Sequence, residues 1–212
     1  AGPESGSDQE RFQTPNPLTE MGYCVASFDG RGTSGRGKAF KDELYGKLGI
    51  VEIDDQAAGV RHLVRTKPFI DGKRVGIEGT SYGGYASIMA LLRYPDVFAA
   101  ACASSSVTDW RNYDTIYTER YLGLPSENAE GYRRSSPVVS AANLRARLLL
   151  VHNLQDDNVL FQNTVQMADA LQRAGRPFEM MVYPQRTHGV TGPARRHLWE
   201  TIAAFFERTL LP

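Results

Sequence analysis

An excess of charge of either sign is missing from this chain. Its 212 residues hold 24 Lys and Arg against 24 Asp and Glu, so the formal net charge is zero. Nucleic acids and anionic membranes are normally met by a basic surplus, so neither is the expected partner. Long apolar runs are missing too. The stretches "RARLLLVH" and "VFAAACAS" are strand-sized and far short of a membrane span, so no membrane contact is expected from this segment. Cysteine is scarce. Cys24 and Cys102 each fall inside an apolar run and read as small buried side chains, a pair that identifies no redox compartment. The four histidines and two cysteines show no metal-ligand spacing, and no metal site is expected. The glycine-rich "GRGTSGRG" lacks the lysine-serine ending of a phosphate loop and precedes a helix only distantly, so no nucleotide cofactor is expected. No internal repeat or low-complexity tract is present. The opening "AGPESGSDQERFQTPNPL" is polar and rich in Gly, Pro and Ser, and reads as a loop rather than a leader peptide.

What is present is a globular composition, 42% hydrophobic and 23% charged, on a chain long enough for one domain with a proper core. Short apolar runs alternate with helical patterns. "GYCVASFD" (Gly22–Asp29) reads as a strand, and apolar residues at Ile53, Ala57, Val60 and Val64 mark a helix ending before Pro68. Further strands are expected at Val75–Glu78, Val97–Ala103, Leu148–Val151 and Phe178–Tyr183. Helices are expected at Tyr85–Tyr94, over "VLFQNTVQMADALQRAG" with Gly175 as its C-terminal cap, and over "ARRHLWETIAAFFERTL". A Tyr- and Arg-rich insertion spans Ser104–Asn143. Alternation of this kind predicts an α/β fold, a mostly parallel sheet with helices on both faces.

In that frame "IEGTSYGGY" stands out. Gly79, Ser81 and Gly83 form G-x-S-x-G where a strand turns into a helix. Ligands bind at the C-terminal edge of open parallel sheets. Glycines there would remove Cβ atoms that clash as strand and helix close, leaving Ser81 exposed on a nucleophile elbow. The Tyr82 backbone N–H would then face the oxyanion formed on acyl attack. A serine hydroxyl needs a base, and the base needs an orienting acid. In the α/β-hydrolase order of serine, acid and histidine, "VHNLQDDNV" supplies Asp156 or Asp157 after one strand, and "YPQRTHGV" supplies His188 after the next. Asp109, after an earlier strand, is an alternative acid. His62 and His197 read as surface or packing residues on helices, and His152 as a structural hydrogen-bonding group at a strand end.

The residues "GTSYGGY", "YDTIYTERYLGLP", "DDNVLFQ", "THGV" and "LYGKLGIVEIDDQAAGV" resemble the α/β-hydrolase domain of the prolyl oligopeptidase family, in its dipeptidyl peptidase IV branch. The resemblance runs through nearly the whole chain. It implies Ser81 as nucleophile, Asp156 as acid and His188 as base, and it decides against Asp109. It also implies a small pocket for proline or alanine, lined by Tyr82, Val107, Trp110, Tyr113, Tyr117 and Val159, because a flat pyrrolidine stacks between rings where a long side chain meets walls. Asn158 resembles the group that hydrogen-bonds the substrate carbonyl, with Tyr113 near the free amine. Thr80 is a departure, standing where many members carry Trp.

The expected activity is release of N-terminal dipeptides with Pro or Ala second, through an acyl-enzyme on Ser81. Tripeptidyl or acylaminoacyl release and general esterase activity are the alternatives, and a non-catalytic binding module is a third class. The resemblance further implies pieces not in this sequence. One is a tyrosine just before Ala1 that supplies a second oxyanion donor, another the central strand preceding it, and the third a β-propeller whose paired glutamates bind the substrate's amine. The 212 residues are therefore expected to be an N-terminally incomplete hydrolase domain that is not self-sufficient. A homodimer through the last helix and a secreted, periplasmic or cell-surface location are also implied by the resemblance alone.

Overall fold

The computed structural model describes residues 2–3 and 17–211. Three helices come first, α1 (Pro17–Glu20), α2 (Lys38–Asp42) and α3 (Val51–Thr66). Strands and helices then alternate: β1 (Gly76–Thr80), α4 (Tyr82–Arg93), β2 (Ala100–Ser104), α5 (Thr115–Leu122), α6 (Ala129–Arg134), β3 (Arg147–Asn153), α7 (Gln162–Arg173), β4 (Glu179–Tyr183) and α8 (Pro193–Leu210). The four strands lie in the order β1-β2-β3-β4, and every pairing is parallel. Ile77 stands beside Ala101, and Ala101 beside Leu148.

Period-two alternation divides the strand residues between two apolar layers. Ala101, Ala103, Leu148 and Leu150 join a core with Ile53 and Ala57 of α3, Ile88 and Leu91 of α4, and Met167 and Leu171 of α7. Their neighbours Ala100, Cys102, Leu149 and Val151 pack instead with Phe205, Phe206 and Leu210 of α8. Burial on both faces explains why β2 and β3 read as continuous apolar runs rather than alternating ones. The C-terminal edge of the sheet is thereby one ledge, from which four loops leave in the same direction. Gly175 does end its helix with φ +64°, and the N–H groups of Gly175 and Arg176 return to the carbonyls of Gln172 and Leu171.

Two expectations fail at the same place. Residues 22–29 form no strand, and Cys24 is exposed rather than buried. The segment is tied to α3 instead: Gln56 Nε2 donates to the Phe28 carbonyl at 3.0 Å, and Arg31 grips the Asp55 carboxylate through its backbone N–H, Nε and Nη2. A strand exists only when a neighbour completes its ladder, and among the described residues none pairs with the outer edge of β1. Between residues 23–28 and β1 lies a cleft of about 630 Å³, lined by Phe28, Val60, Ile77, Phe98 and Phe206 and by the polar Glu52 and Glu78. Smaller boundary shifts also occur. The helix expected from Val159 begins at Gln162, and the one expected from Tyr85 already begins at Tyr82. No helix among the described residues is long and apolar enough to cross a membrane.

Candidate active site

Ser81 joins β1 to α4 with φ +63° and ψ −122°, a conformation L-residues rarely adopt. Such strain costs of the order of 1–3 kcal/mol and persists only where surroundings over-determine it. Here the Ser81 N–H donates to the Ser104 carbonyl at 2.9 Å, and the Ser81 carbonyl accepts from the Tyr85 N–H at 3.0 Å. A Cβ on Gly79 would sit 2.5 Å from the Gly83 backbone, so strand and helix close as tightly as the motif predicts. Gly83 itself differs from expectation, since a Cβ there would meet nothing. Gly84 is the second tight position, with a Cβ 2.6 Å from the Ser104 carbonyl oxygen. At the first position of α4, Tyr82 has an N–H with no intrahelical acceptor.

Asp156 and His188 are brought together. Asp156, its side chain fully shielded from solvent, faces His188 Nδ1 at 2.9 Å through Oδ2 and 3.1 Å through Oδ1. Its Oδ1 also accepts from the backbone N–H groups of Asn158 (3.1 Å) and Val159 (2.9 Å). This pairing makes Nδ1 the protonated nitrogen of His188 and leaves Nε2 as an acceptor. Asp157 is exposed, and Asp109 is committed elsewhere, capping the 3₁₀ turn at Trp110 and pairing with Arg111. Among the described residues Ser81 Oγ makes no hydrogen bond, so the nucleophile-to-base contact is not closed. Such contacts commonly tighten only with substrate bound.

The loop carrying His188 is held from the acid loop. Asn153 Nδ2 donates to the Thr187 carbonyl at 2.6 Å and reaches Ser105 Oγ at 3.4 Å, and the Gln155 N–H donates to the Arg186 carbonyl at 3.1 Å. His152 is buried beneath. Its Nε2 lies 2.8 Å from the Val159 carbonyl, which can only accept, so the proton sits on Nε2 and Thr164 donates its hydroxyl to Nδ1 at 2.7 Å. Burial lowers the His152 pKa and keeps the ring neutral beside Asp156. His62 lies exposed on α3 beside Arg65, and His197 on α8 bonds the Tyr183 hydroxyl, both as read from the sequence.

The aromatic residues of the insertion gather against Tyr82. Trp110 lies 6.0 Å from Tyr82, 5.7 Å from Tyr117 in a stacked pair, and 5.9 Å edge-on from Tyr113. Val107 and Val159 are buried in the same cluster. The Tyr113 hydroxyl donates to Asn158 Oδ1 at 2.9 Å, which leaves the Asn158 amide N–H groups for another acceptor. Asn153 and Glu52 carried no signal in the sequence, because one reads as a strand end and the other as a polar turn of a helix. Among the described residues no three His, Cys, Asp or Glu side chains converge to hold a metal ion.

A strained serine on a strand-to-helix turn, with a buried carboxylate two loops away orienting a histidine on the loop after that, is a nucleophile-elbow arrangement. The model of the prolyl oligopeptidase family matches residues 10–211. The chain belongs to the prolyl oligopeptidase family. Among its relatives in that family, human dipeptidyl peptidase 8 is 44% identical over 181 residues, covering 84% of this chain and 20% of that protein. Human prolyl endopeptidase FAP is 39% identical over 193 residues, covering 90% and 25%. The crystal structure of Porphyromonas gingivalis dipeptidyl peptidase 4 superposes with a TM-score of 0.82 at 42% identity, covering 86% of this chain and 26% of that one. The chain thus has the family's α/β-hydrolase fold and spans about a fifth to a quarter of the length of these relatives.

Proposed function

We propose that this chain is the hydrolytic segment of a serine exopeptidase that releases N-terminal dipeptides with Pro or Ala in second position. The observation that carries the chemistry is His188 held by Asp156 at 2.9 Å on the sheet edge from which Ser81 projects. Ser81 Oγ attacks the scissile carbonyl carbon while its proton passes to His188 Nε2. The shielded Asp156 carboxylate keeps Nδ1 protonated and balances the imidazolium. The carbonyl π pair becomes an oxyanion facing the Tyr82 N–H. Collapse reforms the carbonyl, breaks the C–N bond and sends the proton from Nε2 to the departing amine, leaving an ester on Ser81. Water, deprotonated by the same nitrogen, then releases the dipeptide acid. The Tyr82, Trp110, Tyr113 and Tyr117 rings, with Val107 and Val159, supply flat apolar walls suited to a pyrrolidine, and the free Asn158 N–H groups suit the preceding carbonyl.

The rest of the machinery comes from polypeptide outside these residues. An extended segment pairs with the edge of β1 that has no partner among the described residues and fills the 630 Å³ cleft, a second donor completes the oxyanion hole, and a further domain holds the substrate's amine. Support for this comes from the relatives, four to five times longer than the stretch they share with this chain. A second reading, internal cleavage after proline, is favoured by the likeness to a relative named a prolyl endopeptidase.

Hydrolysis of H-Gly-Pro-anilide beside N-acetyl-Gly-Pro-anilide by the full-length protein, with Ser81→Ala as blank, separates these readings. Cleavage of the free-amine substrate alone is the expected result. Cleavage of both favours the endopeptidase, and cleavage of neither sinks the prolyl reading.

A further inference from the structure

Glu52 is the second residue of α3 and is 6% exposed. Its Oε1 accepts two hydrogen bonds, from the Gly49 N–H and from the Tyr82 hydroxyl, both at 2.5 Å. Its Oε2 is shielded and has no partner among the described residues. Burial raises the Glu52 carboxyl above its ordinary range, and burial together with Glu52 pushes the Tyr82 phenol well up, so the phenol remains the donor.

A buried carboxyl with an unmatched oxygen is a poor way to stabilise a fold. An apolar side chain of similar volume would fill the space without the desolvation cost. What Glu52 does have is a short path to the chemistry. Tyr82 follows Ser81 directly, and its backbone N–H is the proposed oxyanion donor. Its ring is fixed at three points, by Glu52 at the hydroxyl and by Tyr85 and Trp110 at centroid distances of 5.4 and 6.0 Å. Only the Glu52 contact is directional. It links the start of α3 to the start of α4, where the Ser81–Tyr82 peptide is held in a conformation that relaxes if released.

We propose that Glu52 is a positioning residue for acyl transfer: by anchoring the Tyr82 hydroxyl it aims the Tyr82 N–H at the developing oxyanion. The proposal rests on the reading of Ser81 as nucleophile. A donor lost from an oxyanion hole costs ~10²–10³ in rate. A donor that is present but loosely aimed costs less, about 10-fold to 10²-fold. Binding of the ground state does not use the oxyanion contact, so KM stays while kcat falls.

The test uses the full-length protein carrying Glu52→Leu, Glu52→Gln, Tyr82→Phe and the Glu52→Leu/Tyr82→Phe pair, with H-Gly-Pro-anilide as substrate and a dipeptide boronic acid as mimic of the tetrahedral state. Glu52→Leu is expected to lower kcat by about 10-fold to 10²-fold and to weaken the boronate in parallel, with KM unchanged. Glu52→Gln keeps an acceptor for both donors and is expected to restore kcat to within about threefold, a neutral hydrogen bond replacing a stronger one. In the Tyr82→Phe background the Glu52→Leu change is expected to have no further effect, because both remove one contact. Full additivity, a change in KM alone, or a kcat loss that leaves boronate affinity untouched overturns the proposal. If Glu52→Leu does not fold, Tyr82→Phe decides, since deleting a single hydroxyl must still lower kcat and boronate affinity together. Wild-type protein without Ser81-dependent hydrolysis overturns the acyl-transfer reading itself, and this proposal with it, a result distinct from all those above.

Discussion

The centre of the sheet and its β1 edge are built to different standards. At β2 and β3 nearly every residue is buried, with helices on both faces and ladders on both sides. At β1 the residues are only partly covered, one ladder is present among the described residues, and the neighbouring segment 23–28 is largely exposed. Yet "GYCVASFD" and "RVGIEG" carry the same kind of apolar pattern. The difference teaches that a strand pattern is a statement about a surface and its partners, and it becomes a strand only where at least one neighbour supplies acceptors and donors for its backbone groups.

The largest expected effect lies on the β1 edge. Ser81→Ala removes the proposed nucleophile at the end of β1 and is expected to lower kcat for H-Gly-Pro-anilide in the full-length protein by ~10⁴-fold or more. Its melting temperature should hold or rise, since alanine adopts a relaxed turn as readily as serine does. A retained rate would show that the chemistry belongs to another residue.

Core truncations compare the centre and the edge directly. Leu149→Ala, in the layer between sheet and α8, is expected to cost ~2–5 kcal/mol in chemical denaturation of this chain. Val25→Ala, 48% exposed in the open segment, is expected to change stability by less than ~0.5 kcal/mol. Comparable costs in the full-length protein would show that the open end is covered there.

The two cysteines provide the smallest and most sensitive contrast. Thiolate, not thiol, reacts. Burial, with a contribution from Glu78, pushes the Cys102 thiol up to about 12, while Cys24 is exposed. One thiol per folded chain should react with a maleimide or aromatic disulfide at pH 8, and raising the pH to 9 should not release a second. Mass spectrometry of the labelled peptide should find Cys24. Protection of Cys24 in the full-length protein would mark it as covered by the strand proposed for the cleft.

The parts of the site legible in the sequence were those with a local cause. G-x-S-x-G is read from one turn, because Gly79 must admit the Gly83 backbone. Asp156 and His188 follow from their places after successive strands, and loops leaving a parallel sheet share one edge. Choosing Asp156 over Asp157 needed the family resemblance, and the structure supplies its physical reason, one being shielded against His188 and the other exposed. The aromatic wall could not be told from ordinary core by spacing. Glu52 was invisible for the opposite reason, since its meaning comes from Tyr82, 30 residues away in sequence. Gly83 was assigned a packing role that falls to Gly84, where a Cβ would meet Ser106 Oγ and the Ser104 carbonyl oxygen, a difference of position rather than of residue type.

Order along the sheet has a further consequence for alignment. The proposed nucleophile, acid and base hang from β1, β3 and β4, so the distance from Ser81 to His188 is a stack of tolerances across three ladders. In any such stack small errors add unless a cross-brace shortens the loop. Asn153 is that brace, reaching from Ser105 after β2 to Thr187 beside the base. The span it does not cover is the first joint, where Ser81 hangs from a strand whose outer edge has no ladder partner among the described residues.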